Sequence, residues 1–185
     1  PSRELTTAAN LAATARVLKG FNDTLSVHCL NIAQEIFKTT GSNPRYLGNS
    51  LHAAAELYLT TNGEVYKKFL LDNKDEIVKN AGRNGWYMAR VERLFSGMLK
   101  DKKAQQFSVA FRKALAQQAD QIMEQSKKTP YGVPYQPSIW GAGWDIQNFG
   151  FQHFFLAKAY PELFSAETVA NALNFVLGCH PGSNQ

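Results

Sequence analysis

The stretch Leu51-His52-Ala53-Ala54-Ala55-Glu56-Leu57-Tyr58-Leu59-Thr60-Thr61-Asn62-Gly63 decides the fold class. Alanine and leucine are the strongest apolar helix formers, and Asn-Gly is the pair that closes a helix in left-handed backbone. A helix over about 46–61 is expected. Reading outward towards the N-terminus, Gly41-Ser42-Asn43-Pro44 is a loop. Before it, Leu25, Cys29, Ile32, Ala33 and Ile36 share one face of a helix for which Asp23 is the expected N-cap. Leu5, Ala8, Ala9, Ala12, Ala15 and Val17 recur near a period of 3.6 over residues 4–19, and Gly20 stops that helix.

Towards the C-terminus, Glu64 to about Leu71 reads as a short helix. Ala81-Gly82-Arg83-Asn84-Gly85 reads as a turn. Helices are predicted over 86–99 and about 103–127. The run from Thr129 to Pro137 holds three prolines and a glycine, which forbid a helix. Ile146 to Tyr160 reads as a Phe-rich helix buried on most sides, ended by Pro161. Ser165 caps a last helix that runs to about Leu177 and ends at Gly178. No alternation of period two and no hairpin signal interrupts these segments. Successive helices with short connections predict an all-α domain of antiparallel hairpins.

Composition excludes several function classes. The 185 residues are 44% hydrophobic and 12% aromatic, enough for a sizeable core. No apolar run approaches the length of a membrane span, so no membrane partner is expected. Net charge is +5. The lysines and arginines are mixed with acids, and pairs such as Lys67-Lys68 and Lys127-Lys128 stand at helix ends, where cations favour the dipole. Solvated helix faces account for them, and nucleic acid is not an expected partner. Cys29 and Cys179 form no CxxC or Cys/His cluster, so neither a metal nor a cofactor is expected, and a bridge between them is left open.

The chemistry-bearing stretch is Tyr131 to Gln152. Trp140-Gly141-Ala142-Gly143-Trp144 places two tryptophans around a glycine-rich turn. Glycines let the backbone turn and a ligand approach closely, and flat rings bind the C–H faces of sugars by burial. Trp140, Trp144, Tyr135 and Asp145 are the candidate ligand residues, with Trp86 a further cleft aromatic. Packing of both tryptophans onto neighbouring helices is the competing explanation, and an N-cap role competes for Asp145. Glu56 has apolar neighbours and is expected to pair with an arginine. His52 and His153 read as core histidines with satisfied nitrogens. No two acids stand together in an aromatic loop, and there is no nucleophile–base pattern or phosphate loop.

Several of these segments, taken together, resemble glycoside hydrolase family 9. They are Tyr131-Gly132-Val133-Pro134-Tyr135, Ile139-Trp140-Gly141-Ala142-Gly143-Trp144-Asp145 with Asn148, Leu156-Ala157-Lys158-Ala159-Tyr160, and Ala172 through Gly182. Upstream, Ala12 to Arg16 and Ala55 to Gly63 resemble the family's Ala-rich helix with Arg and its Glu-Leu-Tyr helix end. The resemblance implies an (α/α)6 barrel, of which this chain is an incomplete portion, with residues 1–185 part of one catalytic domain. It implies hydrolysis of β-1,4-glucosidic or related bonds with inversion, a β-glucan or oligosaccharide substrate, and an extracellular or periplasmic location. It also implies that Trp140 stacks on a sugar ring.

The family's Asp-Ala-Gly-Asp type base motif and its later His-x-Arg and acid Glu do not occur in these 185 residues, so substrate contact is expected here without the acid and base. Trp144 stands where some members have Arg. A ring at that position would reshape one cleft end and suit exo action. A helical carbohydrate-binding or scaffold module without catalysis is the alternative.

Overall fold

The computed structural model describes residues 1–129, 131–134 and 141–179. Its helices are α1 (Ser2–Leu18), α2 (Asp23–Thr40), α3 (Leu47–Thr61), α4 (Glu64–Asp72), α5 (Lys74–Lys79), α6 (Ala81–Ser96), α7 (Lys102–Ser126), α8 (Ala142–Ala159) and α9 (Ala166–Val176), with a 3-10 turn at Pro44–Tyr46. Among the described residues every regular element is helical. They fall into two compact units: Pro1–Asn80 with Arg90–Val109, and Ala81–Ala89 with Ala110–Gln185.

In the first unit α1 packs on α2 and α3. The alanines explain how close that packing is. Ala8, Ala9, Ala12 and Ala15 of α1 and Ala53, Ala54 and Ala55 of α3 are all buried. Short side chains let hydroxyls reach across to backbone: Ser26 Oγ donates to the Ala15 carbonyl at 2.7 Å and Thr60 Oγ1 to the Ala12 carbonyl at 2.8 Å. Asn62, at φ 53°, closes α3 as the Asn-Gly pair predicts. The start of α2 differs from expectation. Asn22, not Asp23, is the cap, accepting from the Leu25 N–H at 3.1 Å. Asp23 is the first helical residue, and its Oδ1 accepts from the Gly20 N–H instead. Cys29 and Ala33 are buried on α2, whereas Leu25 and Ile32 of the predicted face are exposed.

In the second unit the segment predicted as a turn is helical. Gly82 and Gly85 lie within α6 because neighbouring side chains occupy the space a Cβ would need. At Gly82 that atom would lie 2.5 Å from Gln118 Oε1. At Gly85 it would lie 3.0 Å from Leu115 and 3.2 Å from Leu156. Glycine costs an isolated helix about 1 kcal/mol relative to alanine, and close packing on α7 and α8 outweighs that local preference. Helix α8 packs on α9. Ser165 caps α9 by accepting from the Glu167 N–H at 3.1 Å, as predicted, and Gly178 follows that helix at φ 71°. Neither cysteine forms a disulfide: Cys29 is buried and Cys179 exposed.

Candidate functional site

Helix α8 begins at Ala142, four residues before the predicted start at Ile146, because Gly141 adopts the left-handed conformation at φ 81° and turns the chain into it. Its carbonyl accepts from the Asp145 N–H at 2.9 Å. Asp145 is therefore inside the first turn rather than at the cap. It is exposed, with its charge near the positive end of the helix dipole. Trp144 beside it is 80% exposed, so among the described residues its ring is not packed onto a neighbouring helix. Among the described residues, a Cβ on Gly143 would meet nothing within 4 Å. Trp140 and Tyr135 lie outside the described residues.

The expectation that α8 is buried on most sides does not hold. Ile146, Gly150, His153 and Leu156 form its buried face. Phe151 and Phe154 are exposed. Trp144, Phe151 and Phe155 are spaced seven and four residues apart, which puts them on one stripe of the helix. Trp86, half-buried on α6, joins that stripe: its ring lies 5.6 Å edge-on from Phe151 and 6.0 Å from Phe155. Tyr87 stands edge-on to Trp86 at 5.3 Å and donates from its hydroxyl to Asn84 Oδ1 at 2.8 Å. Burial raises the Tyr87 phenol, so this contact keeps its proton over the whole working range. The structure thus brings Trp86 together with Phe151 and Phe155, and sets Trp144 with Asp145 at the start of the same helix. Phe151 and Phe155 were missed from the sequence. Their spacing from Trp144 is the signal that could have found them.

The carboxylates tell a different story. Glu56 is 3% exposed, and both of its oxygens are taken by guanidinium groups. Arg16 Nη2 binds Oε2 at 2.6 Å, and Arg90 Nη2 binds Oε1. Arg16 also reaches Thr60 Oγ1 at 2.7 Å, so this network ties α1, α3 and α6 together within the first unit. The pairing of Glu56 with arginine is as expected, and its role is structural. On the same helix, His52 is shifted downwards by burial, with Arg90 adding to the shift and Glu56 opposing it. On α8 itself Asp145 is the sole carboxylate.

The sequence pattern of glycosyl hydrolase family 9 matches residues 3–184. The chain belongs to that family. No curated protein and no solved structure matches it. Family 9 folds are (α/α)6 barrels, and the all-helical content of the described residues agrees with part of such a barrel. Members are glycoside hydrolases, so the substrate class is carbohydrate. No described helix of this family 9 chain is long and apolar enough to cross a membrane. Among its described residues no three His, Cys, Asp or Glu side chains converge as metal ligands would.

One further polar group of the family 9 chain stands apart. His153 is 6% exposed and stacks on Phe149 with ring centroids 3.8 Å apart. Its Nδ1 lies 2.9 Å from the Phe149 carbonyl, which can only accept, so Nδ1 carries the proton. Nε2 is buried with no hydrogen-bond partner among the described residues. The expectation of a satisfied core histidine is therefore met at one nitrogen and not at the other. Burial pushes the imidazole down to about 4.

Proposed function

We propose that this chain contributes barrel helices and a sugar-binding surface to an enzyme that hydrolyses β-1,4-glucosidic or related β-glycosidic bonds with inversion. Residues 1–185 are then part of a single catalytic domain, acting on a β-glucan or its oligosaccharides outside the cytoplasm. The family match over residues 3–184 carries this reading. The exposed ring of Trp144 at the mouth of a glycine turn supports the location of substrate contact. Sugars present C–H-rich faces to flat rings, while their hydroxyls seek carboxylates and amides at the edge. Trp144 and Asp145 offer that combination in consecutive residues. Trp140 and Tyr135, just ahead in sequence, are the other proposed contacts, and Trp86, edge-on to the exposed Phe151, is a further proposed sugar contact.

Inversion needs an acid and a base about 6.5–9.5 Å apart with water between them. In this reading both lie outside residues 1–185. Of the two buried carboxylates described, Glu56 spends both oxygens on arginines, and Glu92 is fully enclosed in the packing of α6. Neither can reach a bond in a polysaccharide. Residues 1–185 by themselves are expected to bind without cleaving.

Replacing Trp144 by alanine tests the platform with little structural side effect, because the ring is mostly in solvent. One stacked face amounts to about 60 Å² of apolar contact, or about 1.5 kcal/mol at roughly 25 cal/mol per Å². The expected outcome in isothermal calorimetry with cellotetraose is a Kd about tenfold weaker in Trp144→Ala. Equal affinities would remove Trp144 from the site.

A further inference from the structure

The face of α8 opposite the aromatic stripe lines a cavity of about 450 Å³ between α7, α8 and the start of α9. His153 lies nine residues after Trp144, two and a half helical turns, and so on the other side of the helix. The volume is in the range of small-molecule sites. Ile122, Met123, Leu163 and Phe164 give the cavity apolar walls. Two lining residues, Ser126 and His153, each carry a buried polar atom with no hydrogen-bond partner among the described residues, Oγ and Nε2 respectively. Buried polar atoms are almost always paired, and an orphan pair around one cavity marks a place where a ligand's polar groups complete the bonding.

We infer that this cavity is a second binding site, for a neutral polyhydroxylated molecule of about monosaccharide size. The hydrogen-bonding inventory selects that class. With its proton committed to the Phe149 carbonyl, His153 offers Nε2 as an acceptor. Asp120 and Glu167 on the lining are also acceptors, and their two negative charges outweigh the single positive charge of Lys127. The lining therefore repels anions and asks for hydroxyl donors. Asn171, Thr168 and Ser126 can both give and take, which matches hydroxyls that do the same. Apolar walls meet the C–H faces of such a ring. The site is independent of the platform at Trp144 and stands whether or not the chain acts on β-glucans.

The test uses the full chain, with D-glucose as the probe and the side-chain 15N resonance of His153 Nε2 as the readout. The expected result is a saturable shift of that resonance in the millimolar range, as a bare acceptor gains a donor. Thr168→Trp, which fills the cavity while leaving His153 in place, is expected to weaken the titration by about tenfold or more. His153→Leu, followed by calorimetry and by circular dichroism for folding, is expected to weaken it similarly, while Trp144→Ala leaves it unchanged. No shift up to saturating glucose, undiminished binding in Thr168→Trp, or loss of binding in Trp144→Ala would each overturn the inference.

Discussion

Phe95→Ala unfolds the first unit at a temperature lower by roughly 15 °C or more, the largest effect expected from any single truncation here. Phe95 is fully buried. Its ring is tilted against Tyr58 of α3 at 5.4 Å and meets Phe107 of α7 edge-on at 5.7 Å. Gln105 Nε2 meanwhile donates to the carbonyls of Phe95 and Ser96, fixing the end of α6 over this ring cluster. Removing the ring loses its transfer energy, leaves a cavity between rigid neighbours and breaks both aromatic pairs, together about 3–5 kcal/mol. That is a large share of the 5–15 kcal/mol by which a domain is typically stable. Urea titration by far-ultraviolet circular dichroism measures it. Leu94→Ala, one residue away but exposed, serves as the control and is expected to change stability by about 0.5 kcal/mol or less. A Phe95→Ala loss no larger than that of the control would contradict the packing described.

Acid weakens the second unit before it reaches the ordinary carboxylate range. His153 is neutral when folded, with its pKa pushed from 6.5 down to about 4, because burial disfavours the imidazolium. The unfolded chain binds this proton more readily. Stability is therefore fully present above about pH 6.5, falls as pH drops through the window from 6.5 to 4, and levels off below it. The full loss across that window is about 3 kcal/mol, with about 2 kcal/mol of it gone by roughly pH 5. Thermal melts of the wild type and His153→Leu between about pH 7.5 and pH 4 check this. The wild-type midpoint is expected to fall through the window, and the variant's curve to flatten there. Parallel curves would show that His153 titrates normally.

Most of the helices and of their ends were legible in the sequence because they rest on local signals, although the short α5 (Lys74–Lys79) was not among them. Asn62-Gly63, Ser165 and Gly178 each terminate or cap where their own chemistry predicts. What escaped was decided by tertiary contact. Gly82 and Gly85 read as a turn because glycine disfavours an isolated helix, and only the positions of Gln118, Leu115 and Leu156 reverse that preference. Asn22 and Asp23 are both good caps, and one residue of register chose between them. The phenylalanines of α8 suggested burial on most sides, yet Phe151 and Phe154 face solvent. Hydrophobic character shows that a face avoids water without saying what it is built to meet. The same limit applies to the site. The candidate contacts Trp144 and Asp145 were legible as an aromatic beside a glycine turn, whereas the ring contacts of Trp86 with Phe151 and Phe155 depend on two helices meeting. The orphan nitrogen of His153 has no sequence signature at all.

The proposed function requires this family 9 chain to present a tryptophan platform to β-linked glucose chains. Intrinsic tryptophan fluorescence, titrated with cellotetraose and in parallel with the α-linked maltotetraose, tests it most directly on the wild type and on Trp144→Ala and Trp140→Ala. The expected result is a saturable change with cellotetraose that exceeds any response to maltotetraose and is diminished in both variants. An identical response to the two oligosaccharides, or none from a chain shown by circular dichroism to be folded, would contradict it.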